Sequence, residues 1–220
     1  AVKKTVIDNN IEIVIVGPEQ PLVDGIADFF MNDDVLYNIP VVGPDSKGAQ
    51  LEGSKDFAKS FMKKYNIPTA KYGTFTQDTL EKGIEFLRAM DAPYVLKADG
   101  LAAGKGVLIL DDLKEAESEL KNMLMDSKFG AASEKVVIEQ FLDGREVSVF
   151  IITDGESFKL LPEAKDYKRI GEQDTGLNTG GMGAYSPSRL ENEKLEKKII
   201  EKIIEPTLKG LKEIKNKFRG

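Results

Sequence analysis

Residues 94–110 read YVLKADGLAAGKGVLIL: an apolar run ending in Lys97, a glycine-rich stretch, and a second apolar run. The middle, KADGLAAGKG (97–106), nearly spells a phosphate-binding loop. A Walker A loop is G-x-x-x-x-G-K-[ST] and leads from a strand into a helix. Here Gly100 stands one residue too close to Gly104-Lys105, and Gly106 takes the place of the magnesium-binding hydroxyl. VLIL (107–110) reads as a strand. With a strand on each side, two readings stand. The stretch is a surface hairpin whose glycines Gly100, Gly104 and Gly106 permit tight backbone angles. Alternatively, it is a flap laying backbone N–H groups over a polyphosphate, with Lys97 and Lys105 as the cations.

Outward from this stretch the pattern is regular. A strand over 71–76 and a helix over 78–90 precede the strand at 94–97. After 107–110 come a helix over 112–125 and a strand over 136–139, together an α+β unit of about 70 residues, near the lower size for a small domain. Upstream, IEIVIVGPEQPLVDGIADFF (11–30) predicts a strand covered on both faces, a Gly-Pro turn, and a helix with Leu22, Val23, Ile26, Phe29 and Phe30 at helical spacing. IPVVGPD (39–45) repeats the strand and the Gly-Pro turn, so this part reads as α/β, with ligands expected at the carboxyl ends of strands. Residues 46–65 predict an amphipathic helix with Leu51, Phe57, Ala58, Phe61 and Tyr65 on one face and Ser54 as a cap for its second half. NIPT (66–69) ends it.

Downstream, 145–162 predicts a β-hairpin turning at Asp154-Gly155. The stretch 163–188 reads as a long irregular loop, and 190–217 as a helix with Leu195, Ile199, Ile203 and Ile204 on one face and a break at Pro206.

Three further places could carry chemistry. In VVIEQFLDGREVS (136–148), Glu139 and Glu146 are on local evidence ordinary strand-end charges. The alternative is an adenosine pocket, with backbone around Gln140, Phe141 and Leu142 on the base and a carboxylate on the ribose. In 163–188, TGLNTGGMG brings many N–H groups within reach of an anion, beside Lys165, Asp166, Lys168, Arg169 and Asp174. The apolar Tyr167, Ile170, Met182 and Tyr185 favour a binding loop over a disordered linker. Finally, Gly17, Pro18 and Glu19 open a helix at a strand end, which suits a phosphate or sugar or a tight structural turn.

Composition excludes more than it selects. There are no histidines and no cysteines, which removes His-based triads, His- or Cys-ligated zinc, disulfides and thiolate nucleophiles. A net charge of −6 invites no nucleic acid as a partner, so any polyanion must meet a local cluster. No stretch has the ~18 to 20 apolar residues that cross a bilayer, and nothing resembles a secretory start. A soluble cytoplasmic chain with no membrane partner is the expectation.

The order of these features carries a resemblance. Lysine at a strand end, glycine-rich flap, strand, helix, then VIEQFLDGRE resembles the nucleotide half of the ATP-grasp family. VGPEQPLVDGIAD, GPDSKGAQLEGSKDFAK, VLKADGLAAGKGV, VIEQFLDGREVS and DYKRIGEQDTGLNTGGMGAYSPS resemble, in order, the motifs of the phosphoribosylamine–glycine ligases within it, covering the chain from about residue 11. The resemblance implies a partial Rossmann-like N-terminal domain (1–45) followed by an incomplete ATP-grasp fold. Residues 70–139 would be its small lid module, and 46–69 with 140–220 its central part. It implies a carbon–nitrogen ligase of purine biosynthesis: ATP phosphorylates glycine, and the amine of 5-phosphoribosylamine attacks the acyl phosphate.

By matching position, Lys97 would contact the α-phosphate and Gly100 to Gly106 (with Gly104 and Lys105) would cover the β- and γ-phosphates. Glu139, Gln140, Phe141 and Leu142 would line adenine, and Glu146 would hold the ribose. Gly17, Pro18 and Glu19, with Asp174, Thr175, Gly176, Asn178, Thr179, Gly180, Gly181, Met182 and Gly183, would hold glycine and phosphoribosylamine. Lys168 and Arg169, the catalytic candidates, would act near the transferred phosphate or the substrate. The family's magnesium (or manganese) ligands are expected beyond residue 220, and an earlier N-terminal strand before residue 1. The chain is therefore expected to be a fragment, inactive by itself. Two alternatives accompany this: a catalytically inactive ATP-binding module, and an ATP-grasp ligase for another carboxylate and amine.

Overall fold

The computed structural model describes residues 1–101, 106–126, 134–172, 175–179, 182–188, 192–216 and 218–220, with the side chains of 177 and 178 left aside. Its best-formed part is a four-stranded antiparallel sheet in the order β3-β6-β4-β5, built from β3 (Tyr72–Phe75), β4 (Tyr94–Ala98), β5 (Val107–Leu110) and β6 (Val136–Gln140). Two helices, α6 (Leu80–Arg88) and α7 (Leu113–Met125), cover one face. Each begins at a side-chain cap. Thr76 and Thr79 form a reciprocal box before α6, and the Asp112 carboxylate accepts from Glu115 N–H at 2.9 Å before α7. Because strand side chains alternate faces, Tyr94, Leu96, Ala98, Val136 and Ile138 point at the helices and join Leu87, Leu120 and Met123 in the main core. Val95, Lys97, Val137 and Glu139 take the opposite face.

The N-terminal part differs from expectation in three ways. Residues 2–8 form a helix, α1 (Val2–Asp8), that the sequence pattern did not show. The expected buried strand over 11–16 shrinks to β1 (Val14–Ile15), paired in parallel with β2 (Val41–Val42). Only one of its faces is covered: Val14 and Val41 pack on Val6, Phe30 and Leu36, whereas Ile13 and Ile15 are 53% and 73% exposed. The expected helix over 22–30 is split into α2 (Glu19–Val23) and α3 (Ile26–Met31), because Gly25 adopts φ +86° between them. That left-handed turn is open to glycine at little cost.

Residues 46–65 also form two helices, α4 (Gln50–Gly53) and α5 (Lys55–Lys64), with Ser54 capping α5 by accepting from Phe57 N–H at 3.1 Å. The hairpin at 145–162 contracts to β7 (Ile151–Thr153) and β8 (Phe158–Leu160), with one further bridge between Ser148 and Ala164. The stretch 163–188 is not irregular. It contains β9 (Lys165–Asp166), β10 (Arg169–Gly171), β11 (Thr175–Asn178) and β12 (Ala184–Tyr185), paired as two antiparallel ribbons. Nor does the last helix break at Pro206. From α8 (Glu193–Ile199) it widens into a π turn at Ile200–Ile204 and continues as α9 (Glu205–Glu213). Such a turn accommodates a proline that has no N–H to give.

The α9 backbone at Gly210 packs directly on the rings of Phe61 in α5 and Tyr65 at its C-terminal end. A Cβ on Gly210 would lie 2.6 Å from both Phe61 Cζ and Tyr65 Cδ2, rings that pack on each other with centroids 4.7 Å apart. Gly210→Ala therefore gains about 1 kcal/mol of helix propensity but overpacks at about 1 to 3 kcal/mol. A net loss of about 1 kcal/mol is expected in urea unfolding. A stabilised variant would show that the two helices separate easily.

Candidate functional site

The face of the sheet away from α6 and α7 forms the floor of a cleft of about 880 Å³. In the ladder, Val95 faces Glu139 and Lys97 faces Val137, so Lys97 and Glu139 are diagonal neighbours on one face, within reach of long side chains. Val95, Val107 and Ile109 give that floor an apolar patch, and the chain from Gln140 to Glu146 forms one wall. The opposite wall comes from Lys165 to Arg169, Gly171, Glu172 and Met182.

Glu139 is the electrostatic centre. Only 5% exposed, its carboxylate receives Lys59 Nζ at 2.9 Å and Lys97 Nζ at 3.1 Å. Lys59, itself 8% exposed, also donates to Thr69 Oγ1 at 2.7 Å and lies 5.7 Å above the Tyr72 ring. Lys55 is the third cation here. Its Nζ donates to Gly100 C=O at 3.1 Å. Burial pushes its ammonium below the ordinary lysine range, against the pull of Asp99, Glu52 and Glu139, and Lys97 adds repulsion. Lys59 and Lys97 share Glu139, Lys55 lies among Asp99, Glu52 and Glu139, and of these three lysines Lys97 lines the cleft, its ammonium at the polar end of an apolar floor. That arrangement takes an amphipathic anion with a flat apolar part.

On the far wall, Lys168 forms an ion pair with Glu146 and lies 3.7 Å from Asp166. Partial burial disfavours its charge, but bonding to Glu146 and the nearby Asp166 outweigh this and hold its pKa above the ordinary value. On the near wall, the N–H of Gln140 is committed to Lys71 C=O at 2.8 Å. Among the described residues the N–H groups of Phe141 and Leu142 donate no hydrogen bond. An aromatic base edge would therefore meet those two amides rather than that of Gln140.

The cleft brings together Lys97, Glu139, Gln140, Phe141, Leu142, Glu146, Lys168, Arg169 and Met182. Gly106 is buried just before β5, its carbonyl accepting from Ala98 N–H at 2.8 Å, and is not among the residues that line the cleft. Gly100 lies instead against α5. Thr175, Gly176 and Thr179 are exposed on the β10–β11 ribbon, held beside the far wall by Thr179 N–H on Lys168 C=O at 2.7 Å. Gly183, at φ +111°, accepts from Tyr167 N–H. Asn178 contributes backbone pairing to Arg169. Gly17, Pro18 and Glu19 are exposed and line no part of the cleft. Gly104, Lys105, Asp174, Gly180 and Gly181 lie outside the described residues. Sequence reading missed Lys55, Lys59 and Asp99. The only signal was two lysines at i and i+4 directly behind the Ser54 cap, a spacing shared by many solvated helix faces.

Among the described residues no three acidic side chains converge to hold a metal ion, and no helix is long and apolar enough to cross a membrane. A family model described as phosphoribosylglycinamide synthetase, ATP-grasp (A) domain, matches residues 53–220, and the N-domain model of the same synthetase matches residues 1–52. The chain belongs to the phosphoribosylglycinamide synthetase family. It is 45% identical over 213 residues to a phosphoribosylamine–glycine ligase of Vibrio cholerae, covering 97% of this chain and 48% of that protein. A chloroplastic phosphoribosylamine–glycine ligase of Arabidopsis thaliana is 49% identical over 211 residues, 96% of this chain and 38% of the relative. Among solved structures, the phosphoribosylamine–glycine ligase of Thermotoga maritima superposes with a TM-score of 0.79 at 36% identity, covering 99% of this chain and 52% of that one. The chain thus spans from 38% to 52% of the length of these synthetase relatives. The architecture expected from the motifs, an N-terminal α/β part followed by part of an ATP-grasp fold, agrees with both family models.

Proposed function

We propose that this chain carries the ATP-binding half of a ligase that joins glycine to 5-phosphoribosylamine, giving glycinamide ribonucleotide, ADP and phosphate. The observation that carries the reading is the cleft itself. An apolar floor, two free amides at Phe141 and Leu142, and the lysines around Glu139 match adenine at one end and phosphates at the other. The chemistry asks for positioning and charge neutralisation rather than a proton-shuttling imidazole, so a chain without histidine suits it.

The glycine carboxylate attacks the γ-phosphorus, ADP leaves, and the amine of phosphoribosylamine then attacks the acyl phosphate and expels phosphate. Lys97 holds the phosphate chain, Glu146 meets the ribose, and Lys168 with Arg169 faces the transferred phosphoryl group. Magnesium, when bound, neutralises the phosphates. Among the described residues no three acidic side chains converge to hold it. A cytoplasmic location is part of the same proposal. Residues 70–139 act as the lid module in this reading, with 1–45 belonging to the amine-binding domain.

The substrate pair rests on the segment from Asp174 to Gly183. In a full-length ligase built on this sequence, Asp174→Ala and Asn178→Ala are each expected to raise a Michaelis constant for glycine or phosphoribosylamine, or lower turnover, by about tenfold. Unchanged constants for both substrates together with unchanged turnover would remove the substrate assignment and leave the ATP site standing.

A further inference from the structure

Asp99 has its backbone and its carboxylate committed to one joint. Its N–H donates to Lys135 C=O at 3.1 Å, and its C=O accepts from Lys55 N–H at 3.3 Å. Its carboxylate accepts from Asp56 N–H at 2.7 Å and from the Ser54 hydroxyl at 3.1 Å to each oxygen. Two more contacts close the same joint: Lys55 Nζ on Gly100 C=O at 3.1 Å, and Lys135 Nζ on the Asp56 carboxylate at 2.8 Å. These side-chain partners lie 43 to 79 residues apart in sequence, so the joint is tertiary. Asp99 stands where β4 passes into the glycine-rich stretch, and it grips the first turn of α5.

The partner it grips is a helix start that already has a cap. Ser54 takes the Phe57 N–H, and Asp99 takes the neighbouring orphan donor of Asp56. A carboxylate there is favoured by the free N–H groups and by the helix dipole. Helix α5 in turn carries Lys55 and Lys59 toward Glu139. Asp99 is also the largest attraction opposing the cost of burying the Lys55 ammonium. One side chain therefore ties the first limb of the glycine-rich stretch to the helix that supplies two of the three cations.

We propose that Asp99 is a positioning residue for the phosphate end of the cleft: it fixes Gly100 and Lys55 relative to Lys97 and Glu139, and touches no ligand itself. The proposal rests on the reading of the cleft as an ATP site.

The test compares magnesium-ATP with adenosine, which keeps base and sugar but lacks phosphate. Calorimetry gives ATP affinity, ligand-detected NMR gives adenosine affinity, and hydrogen exchange is followed at 55–57 and 99–101. In Asp99→Ala, ATP affinity is expected to fall about tenfold, adenosine affinity to change less than about twofold, and exchange to rise at both segments. Asp99→Asn keeps an acceptor oxygen and retains the fold if the alanine variant does not, and an intermediate loss for ATP alone is expected. If ATP and adenosine weaken equally, or ATP affinity is unchanged while exchange rises, the positioning role is overturned. If the unsubstituted chain binds adenosine and ATP with the same affinity, or neither of them, the ATP reading fails first.

Discussion

Glu139→Ala is expected to lower the stability of the chain by about 3 kcal/mol, seen as a fall of roughly 6 to 12 °C in Tm. The reason is desolvation. The carboxylate lies at the end of β6 with 5% of its surface exposed, and the Lys59 and Lys97 side chains that face it are 11% and 28% exposed. Attraction within such a group is repaid against the loss of water, so the intact triad adds little net stability. Removing one member leaves the others without compensation. Lys97 can turn toward the open cleft, but Lys59 is held between Thr69 and the Tyr72 ring and has nowhere to hydrate.

The double variant Glu139→Ala/Lys59→Met is therefore expected to recover more than half of the loss, because a methionine fills the lysine's path without its charge. By comparison, the Lys212–Glu156 pair, 65% exposed on both sides, is expected to contribute almost nothing. A Glu139→Ala variant melting within about 2 °C of the parent, or a double variant less stable than the single, would show that water reaches the triad and that the cleft is not a low-dielectric site.

What the sequence makes legible, and what it hides, follows from the distance over which each feature is decided. The sheet was readable because β4, β5 and β6 are short apolar runs bounded by turns and caps, all local signals. The two-residue period alternates the faces of each strand, but that Lys97 and Glu139 share a face is set by the β4–β6 register, which the sequence does not show. Helix α1 was hidden because VKKTVID (2–8) has no side-chain cap and buries only Val6. The exposure of Ile13 and Ile15 was hidden for the opposite reason. An apolar run tells of a wish for cover, and whether cover is present depends on which elements pack on it.

The small strands of 165–185 have two to four residues, too few for any period to register. Lys55, Lys59 and Asp99 were illegible individually because their partners lie tens of residues away. A lysine in a helix reads as a solvated charge until a buried glutamate from another strand is found beneath it. Proximity of Lys168 to Glu146 is of the same kind, decided by the ribbon that folds 163–188 back over the cleft.

Lys97→Ala is expected to weaken magnesium-ATP binding by about 10- to 100-fold while changing the melting temperature little. The two readouts separate because Lys97 and Lys59 share Glu139 unequally. Lys59 has three partners and is buried, so it stays with the carboxylate whether or not a ligand is present. Lys97 has only Glu139 among the described residues, at 3.1 Å, and its side chain is the more exposed of the two. Removing it leaves the Lys59–Glu139 pair intact, so the fold loses little.

The Lys97 ammonium has three N–H donors, so a phosphate oxygen entering the cleft can take one of them while Glu139 keeps its bond. The ligand then adds a charge-assisted hydrogen bond in a site that is already partly dehydrated. Such a bond to an ionised partner is worth about 1.5 to 3 kcal/mol, which is roughly one to two decades in affinity. Lys59→Met is expected to cost more stability than Lys97→Ala, since it strips Glu139 of its buried partner. Equal losses of stability for the two, or an ATP affinity unaffected by Lys97→Ala, would mean that both lysines are structural and that the polyphosphate is held elsewhere along the cleft.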